Sequence, residues 1–592
     1  MTKIYTKYKN IIAEYEAQIM QDENASNKVG YTKLAVFPVL IICVVFLFTS
    51  LFALWAIIAV IVTIAVCVLL WVWHYRLDTK VSYARGIVAI CKAHIARING
   101  EWSKFDDIGQ EFIDFEHPYA CDLDIVGAKS LFQFLNTTHT WYGRQSFAQD
   151  LLKPQYNPQQ IQERQEAIAE LSGDINFANN IQYFLSQTGA KIADEKVVAD
   201  LADNTPLSLS KLVSIVAYIP VATIILLIGG AIFQIRPLLI SGISFVIAQA
   251  ALCYFTRKTI GKYLAPMNRL PNKLGKYLKV IEALTRREFS SAKLNQINSK
   301  LKTAREAIRE LEKISNKLSI QANPLVYFAF NTLLLWDLHC ALLLGHWKKK
   351  YSHIEWFATI GEVESLLAFS NLPNVCSNTC LPNVTDTGKF LDAKALGHPL
   401  LSNENRVNND LRLDDNIFII SGSNMSGKTT FMRTVGINLL LARAGSFVCA
   451  QEMTCTCFDI ITSMRIADDL NEGVSTFYAE LKKVKRIIDR AEITNPPVIF
   501  LIDEIFKGTN SVDRLAGADA VISKLAGLGA AGMISTHDLE LCKLAEHRRI
   551  LNHSFSEHYK NGKILFDYKI QAGQSKTTNA RFLMEMLGIG TQ

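Results

Sequence analysis

A chain of 592 residues can hold several domains and bury a substantial core. Its hydrophobic content of 49 % and positive mean hydropathy come largely from a few apolar stretches, while a formal net charge of +7 is too modest to name a partner by itself. The twelve cysteines are scattered, and the nearest pairs, Cys376-x3-Cys380 and Cys455-x-Cys457, lack companions at zinc-ligand spacing, which excludes a zinc site of that kind and points to reduced cytosolic thiols.

In chain order, Thr2 to Lys33 mixes charge with Ile, Tyr and Met and predicts a cytosolic amphipathic helix, segment 1–33. Residues 34–73 contain no Asp, Glu, Lys, Arg or His. As one helix they would reach roughly 60 Å, about twice a bilayer's hydrocarbon core. Two helices folded back near Thr49-Ser50 are therefore expected, a first transmembrane hairpin. The run starts too late and is too long for a cleavable signal peptide. Segment 74–123 is expected to connect, with 74–110 as linker.

A second apolar region, 212–255, is interrupted by Gln234-Ile235-Arg236-Pro237, and its halves 212–233 and 237–255 each have spanning length. The alternative for either hairpin is a buried soluble helix pair, and Gly229-Gly230 with Pro220 weaken the second as a span. Lys33, Arg76, Lys80, Lys211, Arg257 and Lys258 flank the outer ends of both, which fits cytosolic placement of positive charge. Four spans put both termini inside, so a multi-pass protein of the cell (inner) membrane is expected.

Between Arg257 and Lys317 stand 16 Lys/Arg against 5 Asp/Glu. Leu294, Ile297, Leu301, Ala304, Ile308, Leu311 and Ile314 recur at threes and fours, the period of a helix. Three readings stay open: a solvated lever helix, a juxtamembrane segment drawn to anionic lipid, or a phosphate-contacting surface. Pro, Asn, Cys and Thr over 370–396 predict a linker.

The most specific chemistry follows the apolar strand Asn416 to Ile420. Gly422-Ser423-Asn424-Met425-Ser426-Gly427-Lys428-Thr429 fits G-x-x-x-x-G-K-[ST], a loop whose backbone N–H groups wrap a nucleotide's phosphates at a helix N-terminus. Downstream, the apolar run Val498 to Ile502 reads as a buried parallel strand ending in Asp503-Glu504. An Asp at such a tip can hold Mg²⁺ and a Glu beside it can activate water. A second run, Ala530 to Ile534, ends in Ser535-Thr536-His537-Asp538, whose His can sense a γ-phosphate. Between these motifs, Gly473-Val474-Ser475-Thr476 opens the helix-like FYAELKKVKRIIDR. It is either a helix cap or an anion-donor set for a partner subunit.

GSNMSGKTTFMRTVG, LLARAGSFVCA, DDLNEGVSTFYAEL, LIDEIFKGTNSVDR and ISTHDLEL together resemble the ATPase domain of the MutS DNA mismatch-repair family. Phe115-Glu116-His117-Pro118-Tyr119, Leu123-Asp124, Leu131 to Leu135, Gly143 and Glu163 to Ile168 are similar to the opening of that family's core, or lever, domain. Ile360 to Phe369 and Gly397-His398-Pro399 resemble the returning lever helix and the entry to the ATPase.

The resemblance implies an α/β P-loop ATPase domain of ABC type over 385–592. An all-α core/lever domain over 124–384 would precede it and carry the second hairpin. ATP and Mg²⁺ are the implied cofactors, and cytosolic ATP places this domain in the cytoplasm. Gly422, Ser423, Asn424, Met425, Ser426, Gly427, Lys428, Thr429 and Thr430 would bind the phosphates, and Thr429 with Asp503 would secure Mg²⁺. Glu504 would activate water, with His537 and Lys428 as its catalytic companions. Ser475 would act in trans across a homodimer, Asn510 and Ser511 would couple the two sites, and Val407 and Asn408 would line the adenine.

The departures are equally specific. Ser426 replaces a glycine of the usual Gly-Gly-Lys. Nothing before residue 110 resembles a mismatch-recognition domain; Phe555-Ser556-Glu557 has the spacing of a Phe-x-Glu wedge but sits within the ATPase. Duplex DNA and a lipid bilayer are both expected partners. The alternatives are an ATP-driven membrane remodeller, or a nucleotide-gated scaffold without DNA.

Overall fold

The computed structural model describes residues 2–50, 53–189, 216, 218–269, 274–351, 355–465, 476–493, 495–506, 511–546, 549–560 and 563–575. The chain divides into two compact units, one of Met1–Asn136, Ala148–Tyr183 and Ala368–Gln592, the other of Thr137–Phe147 and Phe184–Leu367.

In the first unit, helix Thr2–Thr49 runs unbroken through the expected boundary at 33, and Leu54–Ile98 returns antiparallel to it. The stretch 74–98, expected as linker, is helix. The reason is tertiary: the charged ends of the two helices pair with each other. Ser26 Oγ donates to Asp78 Oδ1 (2.7 Å), Lys92 Nζ to Glu16 (2.9 Å), Arg85 pairs with Glu23, and Tyr8 stacks on His94 at 5.1 Å. Leu77, Val81, Ala84, Val88 and Cys91 form a buried stripe at helical spacing. The apolar windows are, by contrast, 0 % and 6 % buried.

The same unit carries two sheets. The smaller has the order β1 (Asn383–Thr385), β5 (Glu452–Thr456), β2 (Phe390–Leu396), β3 (Asn409–Asp414). Its β1 and β2 take up the later part of 370–396, expected as linker, and owe their strand character to pairing with the distant β5. The larger sheet has the order β10 (Lys563–Ala572), β9 (Ile550–Lys560), β4 (Ile417–Ser421), β8 (Ala531–Thr536), β7 (Val498–Asp503), β6 (Asp459–Ser463). All its pairings are parallel except β10 with β9. Strands β4 and β8 are buried along their whole length, which explains their apolar runs.

Helix Lys428–Arg443 follows β4. A Cβ on its Gly436 would lie 2.8 Å from the Leu123 methyls and 3.0 Å from Leu501, so the glycine admits both side chains. Asp122 Oδ2 accepts from Thr462 Oγ1 (2.7 Å) and Met464 N (3.0 Å), while Oδ1 accepts from Arg465 N (3.0 Å). Asp124 pairs with Arg433 (2.6 Å) and Arg465 (2.7 Å). The segment before Leu131 is thereby fastened to the large sheet.

The second unit is helical. Helix Ile219–Ile232 packs on Arg236–Arg269, and Leu274–Thr285 packs on Ala292–Leu318. The stripe Leu294, Ile297, Leu301, Ala304, Ile308, Leu311 and Ile314 is buried as its period requires. Glu364 accepts from the amides of His139 (2.6 Å) and Thr140 (3.1 Å), in effect capping the helix that begins at Trp141. Among the described residues, three helices are long and apolar enough to cross a membrane: Ile4–Thr49, Leu54–Ile98 and Arg236–Met267. The fourth expected span is described only as Ile219–Ile232, 14 residues; 212–215 lie outside the described residues.

Candidate functional site

Strands β4, β7 and β8 are parallel neighbours, so their carboxyl ends deliver Ser421, Asp503 and Thr536 to one edge of the sheet. This is where ligands gather in open α/β sheets. The loop after β4 turns through Gly422 (φ 149°), Met425 (φ 69°) and Gly427 (φ 106°), and Gly427 leads into helix Lys428–Arg443. Two of these positive φ values fall on glycine because only glycine adopts them without strain. A Cβ at Gly422 would also meet Phe555 O and Ser426 Oγ at 3.0 Å.

Lys428 is buried, and its Nζ donates to the carbonyls of Gly422 (2.8 Å) and Ser423 (2.9 Å). Thr429 Oγ1 donates to Asp503 Oδ2 (2.8 Å), and Ser535 Oγ donates to Asp503 Oδ1. Glu504 holds φ 55°, with its N–H on Ser535 Oγ at 3.1 Å. His537 Nε2 lies 2.8 Å from Glu504 Oε1 and 3.4 Å from Lys428 Nζ. Five residues from three segments of chain therefore meet at the loop: Lys428, Thr429, Asp503, Glu504 and His537. The arrangement offers an ammonium, a hydroxyl–carboxylate pair, a second carboxylate and an imidazole around a glycine cradle.

Beside them is a cavity of about 570 Å³ lined by Ser423 to Phe431 and Thr434 of the loop and helix and by Val407. Asn408, expected with Val407, is not among the lining residues; Asn409 is. Asn409 Nδ2 donates to Tyr568 O (3.0 Å) and its Oδ1 accepts from Ile570 N (3.0 Å), tying the β9–β10 hairpin to the cavity. His398 also lines it; burial, with help from Arg406 and Arg433, pushes its pKa down to about 3, so the ring is neutral.

The hydroxyl of Ser426 is buried and has no hydrogen-bond partner among the described residues. Phe555 packs edge-on against Phe431, and Glu557 accepts from Ser423 Oγ at 2.5 Å. Phe555-Ser556-Glu557 is thus a strand of the site wall. Asn409 and Tyr568 carried no local signal in the sequence, because neither belongs to a contiguous motif, and Phe555 stood out only for its Phe-x-Glu spacing, not as a residue of this site. His398 stood in the Gly-His-Pro motif without an assigned role. Ser475 and Asn510 lie outside the described residues, and of Ser511 only its place at the start of helix Ser511–Gly527 is described.

A family model, MutS domain V, matches residues 418–588, and a second, MutS domain III, matches 120–326. The chain is 32 % identical over 244 residues to the DNA mismatch repair protein MutS of Shouchella clausii, covering 40 % of this chain and 27 % of that protein. It is 35 % identical over 224 residues to the DNA mismatch repair protein MutS of Listeria welshimeri, covering 36 % and 26 %. It is 27 % identical over 339 residues to the MutS protein homolog 4 of Homo sapiens, covering 55 % and 33 %. The matches thus span about a quarter to a third of the length of these relatives.

Proposed function

We propose, taking as premise that the chain belongs to the MutS family, that it is a Mg²⁺-dependent ATPase of the cytoplasmic membrane face, working as a homodimer on duplex DNA. The observation that carries the ATPase reading is the meeting of Lys428, Thr429, Asp503, Glu504 and His537 at one glycine loop.

The residues fit a nucleotide on the structure's own terms. A Cβ at Gly422 would crowd Phe555 O and Ser426 Oγ at 3.0 Å, and Ser426 Oγ is a buried donor without a partner among the described residues. Lys428 moves from the carbonyls of Gly422 and Ser423 to the β- and γ-phosphates. The amides of Asn424 to Lys428 hold phosphate oxygens at the helix N-terminus. Thr429 and Asp503 would hold Mg²⁺, which neutralises charge developing on the phosphate oxygens. Glu504 orients and deprotonates the attacking water, and His537 exchanges its contact with Glu504 for the γ-phosphate. Val407 and Asn409 flank the space for the base. Ser475 would act in trans on the neighbouring protomer's nucleotide, and Asn510 with Ser511 would couple the two sites.

The apolar stretches 34–73 and 212–255 insert in the membrane and leave the nucleotide domain in the cytoplasm. A second reading, in which ATP hydrolysis works on the bilayer and not on DNA, is favoured by one observation. Helix Arg236–Arg269 shares a compact unit with the basic helix Ala292–Leu318, which would carry lever motion directly to it.

The deciding experiment titrates the detergent-solubilised protein with homoduplex, mismatched and branched DNA at two salt concentrations, with and without ATP. Salt-sensitive, ATP-modulated binding supports DNA as partner. Turnover stimulated by lipid in the absence of any DNA affinity supports the second reading.

A further inference from the structure

Between Lys317 and Asp337 the chain carries no charged residue, and this stretch is not part of either apolar hairpin. It folds as helix Pro324–Leu334, followed after Leu335 by helix Trp336–Lys350, and the two meet at 75°. Leu335 makes the bend with φ 50°, a backbone conformation that branched side chains adopt only under constraint.

The constraint is a polar knot inside the bend. Asp337 Oδ2 accepts from Tyr327 OH (2.5 Å) and Asn331 Nδ2 (3.3 Å), and its Oδ1 accepts from Gln321 Nε2 (3.1 Å). Asn331 Oδ1 takes the Asp337 N–H (3.2 Å), and Asn323 caps the first turn through Val326 N. Polar groups at this corner are satisfied from within, as a segment without access to water requires.

Helix Pro324–Leu334 buries none of its residues. Leu325 is 83 % and Phe328 70 % exposed, with Val326, Phe330 and Leu333 also open. A helix apolar nearly all round and open nearly all round is unstable against water. It packs on helices Ile219–Ile232 and Arg236–Arg269, and Cys253 Sγ donates to Asn331 O (3.2 Å), just before Arg257-Lys258 end the apolar run. Its eleven residues reach only about 16 Å, roughly half a hydrocarbon core.

The following helix cannot complete a crossing. Trp347 Nε1 donates to Ala307 O (2.8 Å) and Lys350 pairs with Glu310 (2.8 Å), so it lies along the charged helix Ala292–Leu318. Lys348 is buried, with its Nζ over the Tyr263 ring at 5.0 Å, and Lys349 with the Glu310-paired Lys350 ends the helix at an exposed, charged surface.

We infer that helix Pro324–Leu334 is a re-entrant wedge that enters the cytoplasmic leaflet of the bilayer beside the second apolar hairpin and turns back at Leu335 without crossing. This rests on the membrane reading proposed above. It makes the tip of the basic helix Ala292–Leu318 a lipid contact, joined to it through Trp336 Nε1 on Lys317 O (3.0 Å).

The test incorporates p-benzoylphenylalanine in place of Phe328, Ile228 or Val512 in the full chain, reconstituted in phosphatidylcholine–phosphatidylglycerol vesicles with radiolabelled phospholipid. ATP binding reports folding in each variant. Irradiation should attach phospholipid at 328 and 228, at least five-fold above 512. Labelling at 228 with 328 no higher than 512 overturns the wedge and leaves the membrane reading standing. A crosslink from 328 to a second polypeptide instead of lipid also overturns it. Labelling at neither 228 nor 328 removes the membrane reading and the wedge with it.

Discussion

His537 Nε2 lies 2.8 Å from Glu504 Oε1, and both belong to strand ends that the parallel pairing of β7 and β8 holds side by side. The carboxylate proposed to activate water is therefore restrained by the imidazole proposed to read the γ-phosphate. Glu504→Gln should still bind ATP, yet turn over about 10²–10⁴-fold more slowly, the usual contribution of a general base. Filter binding of labelled ATP beside phosphate release measures the two separately. Equal turnover in wild type and variant would remove Glu504 from the chemistry.

Lys428→Ala should fail earlier. Losing a charged donor to phosphate costs about 1.5–3 kcal/mol, or roughly 10–100-fold in ATP affinity. Isothermal titration with a non-hydrolysable ATP analogue checks this, and unaltered affinity would contradict the cradle.

Ser426 gives a prediction of opposite signs. Its buried hydroxyl is unsatisfied among the described residues. Ser426→Ala should stabilise the nucleotide-free protein by on the order of 1 kcal/mol while weakening ATP binding about five-fold. Thermal unfolding with and without nucleotide reads both; a loss of stability without ATP would refute the assignment.

His398 sets a pH dependence. Burial, Arg406 and Arg433 depress its folded pKa to about 3, against an ordinary 6.5. The unfolded chain therefore binds a proton that the folded chain refuses. The stability due to a neutral ring is present above about pH 6.5 and is lost as pH falls toward 3. Melting temperature between pH 7.5 and 5 should fall more steeply for wild type than for His398→Asn. Parallel slopes would show that another group governs the acid limb.

Asp122 tests the fastening of the segment before Leu131 to the large sheet. Removing its carboxylate leaves Met464 N, Arg465 N and Thr462 Oγ1 without their acceptor. Asp122→Ala should cost about 3 kcal/mol, read as denaturant midpoint, since buried donors left unpaired cost roughly 1–3 kcal/mol each.

By itself, the amino-acid sequence determined the phosphate loop, the Asp503-Glu504 tip, His537 and the apolar runs. Each is a local matter: a helix N-terminus binds phosphate through consecutive amides, a strand tip needs only its own residues, and a membrane segment is defined by length and lack of charge. Tertiary structure decided what depends on distant partners. Residues 74–98 became helix because Asp78 and Lys92 found Ser26 and Glu16 on the preceding helix. Asn383–Thr385 and Phe390–Leu396, within a stretch expected as linker, became strand because β5 supplied an edge. Asn409, Phe555 and Tyr568 reached the cavity from separate strands, more than a hundred residues apart in part, through hydrogen bonds that no local pattern encodes. The bend at Leu335 is of the same kind, fixed by Asp337 meeting Tyr327 and Asn331 only once the two helices had closed on each other.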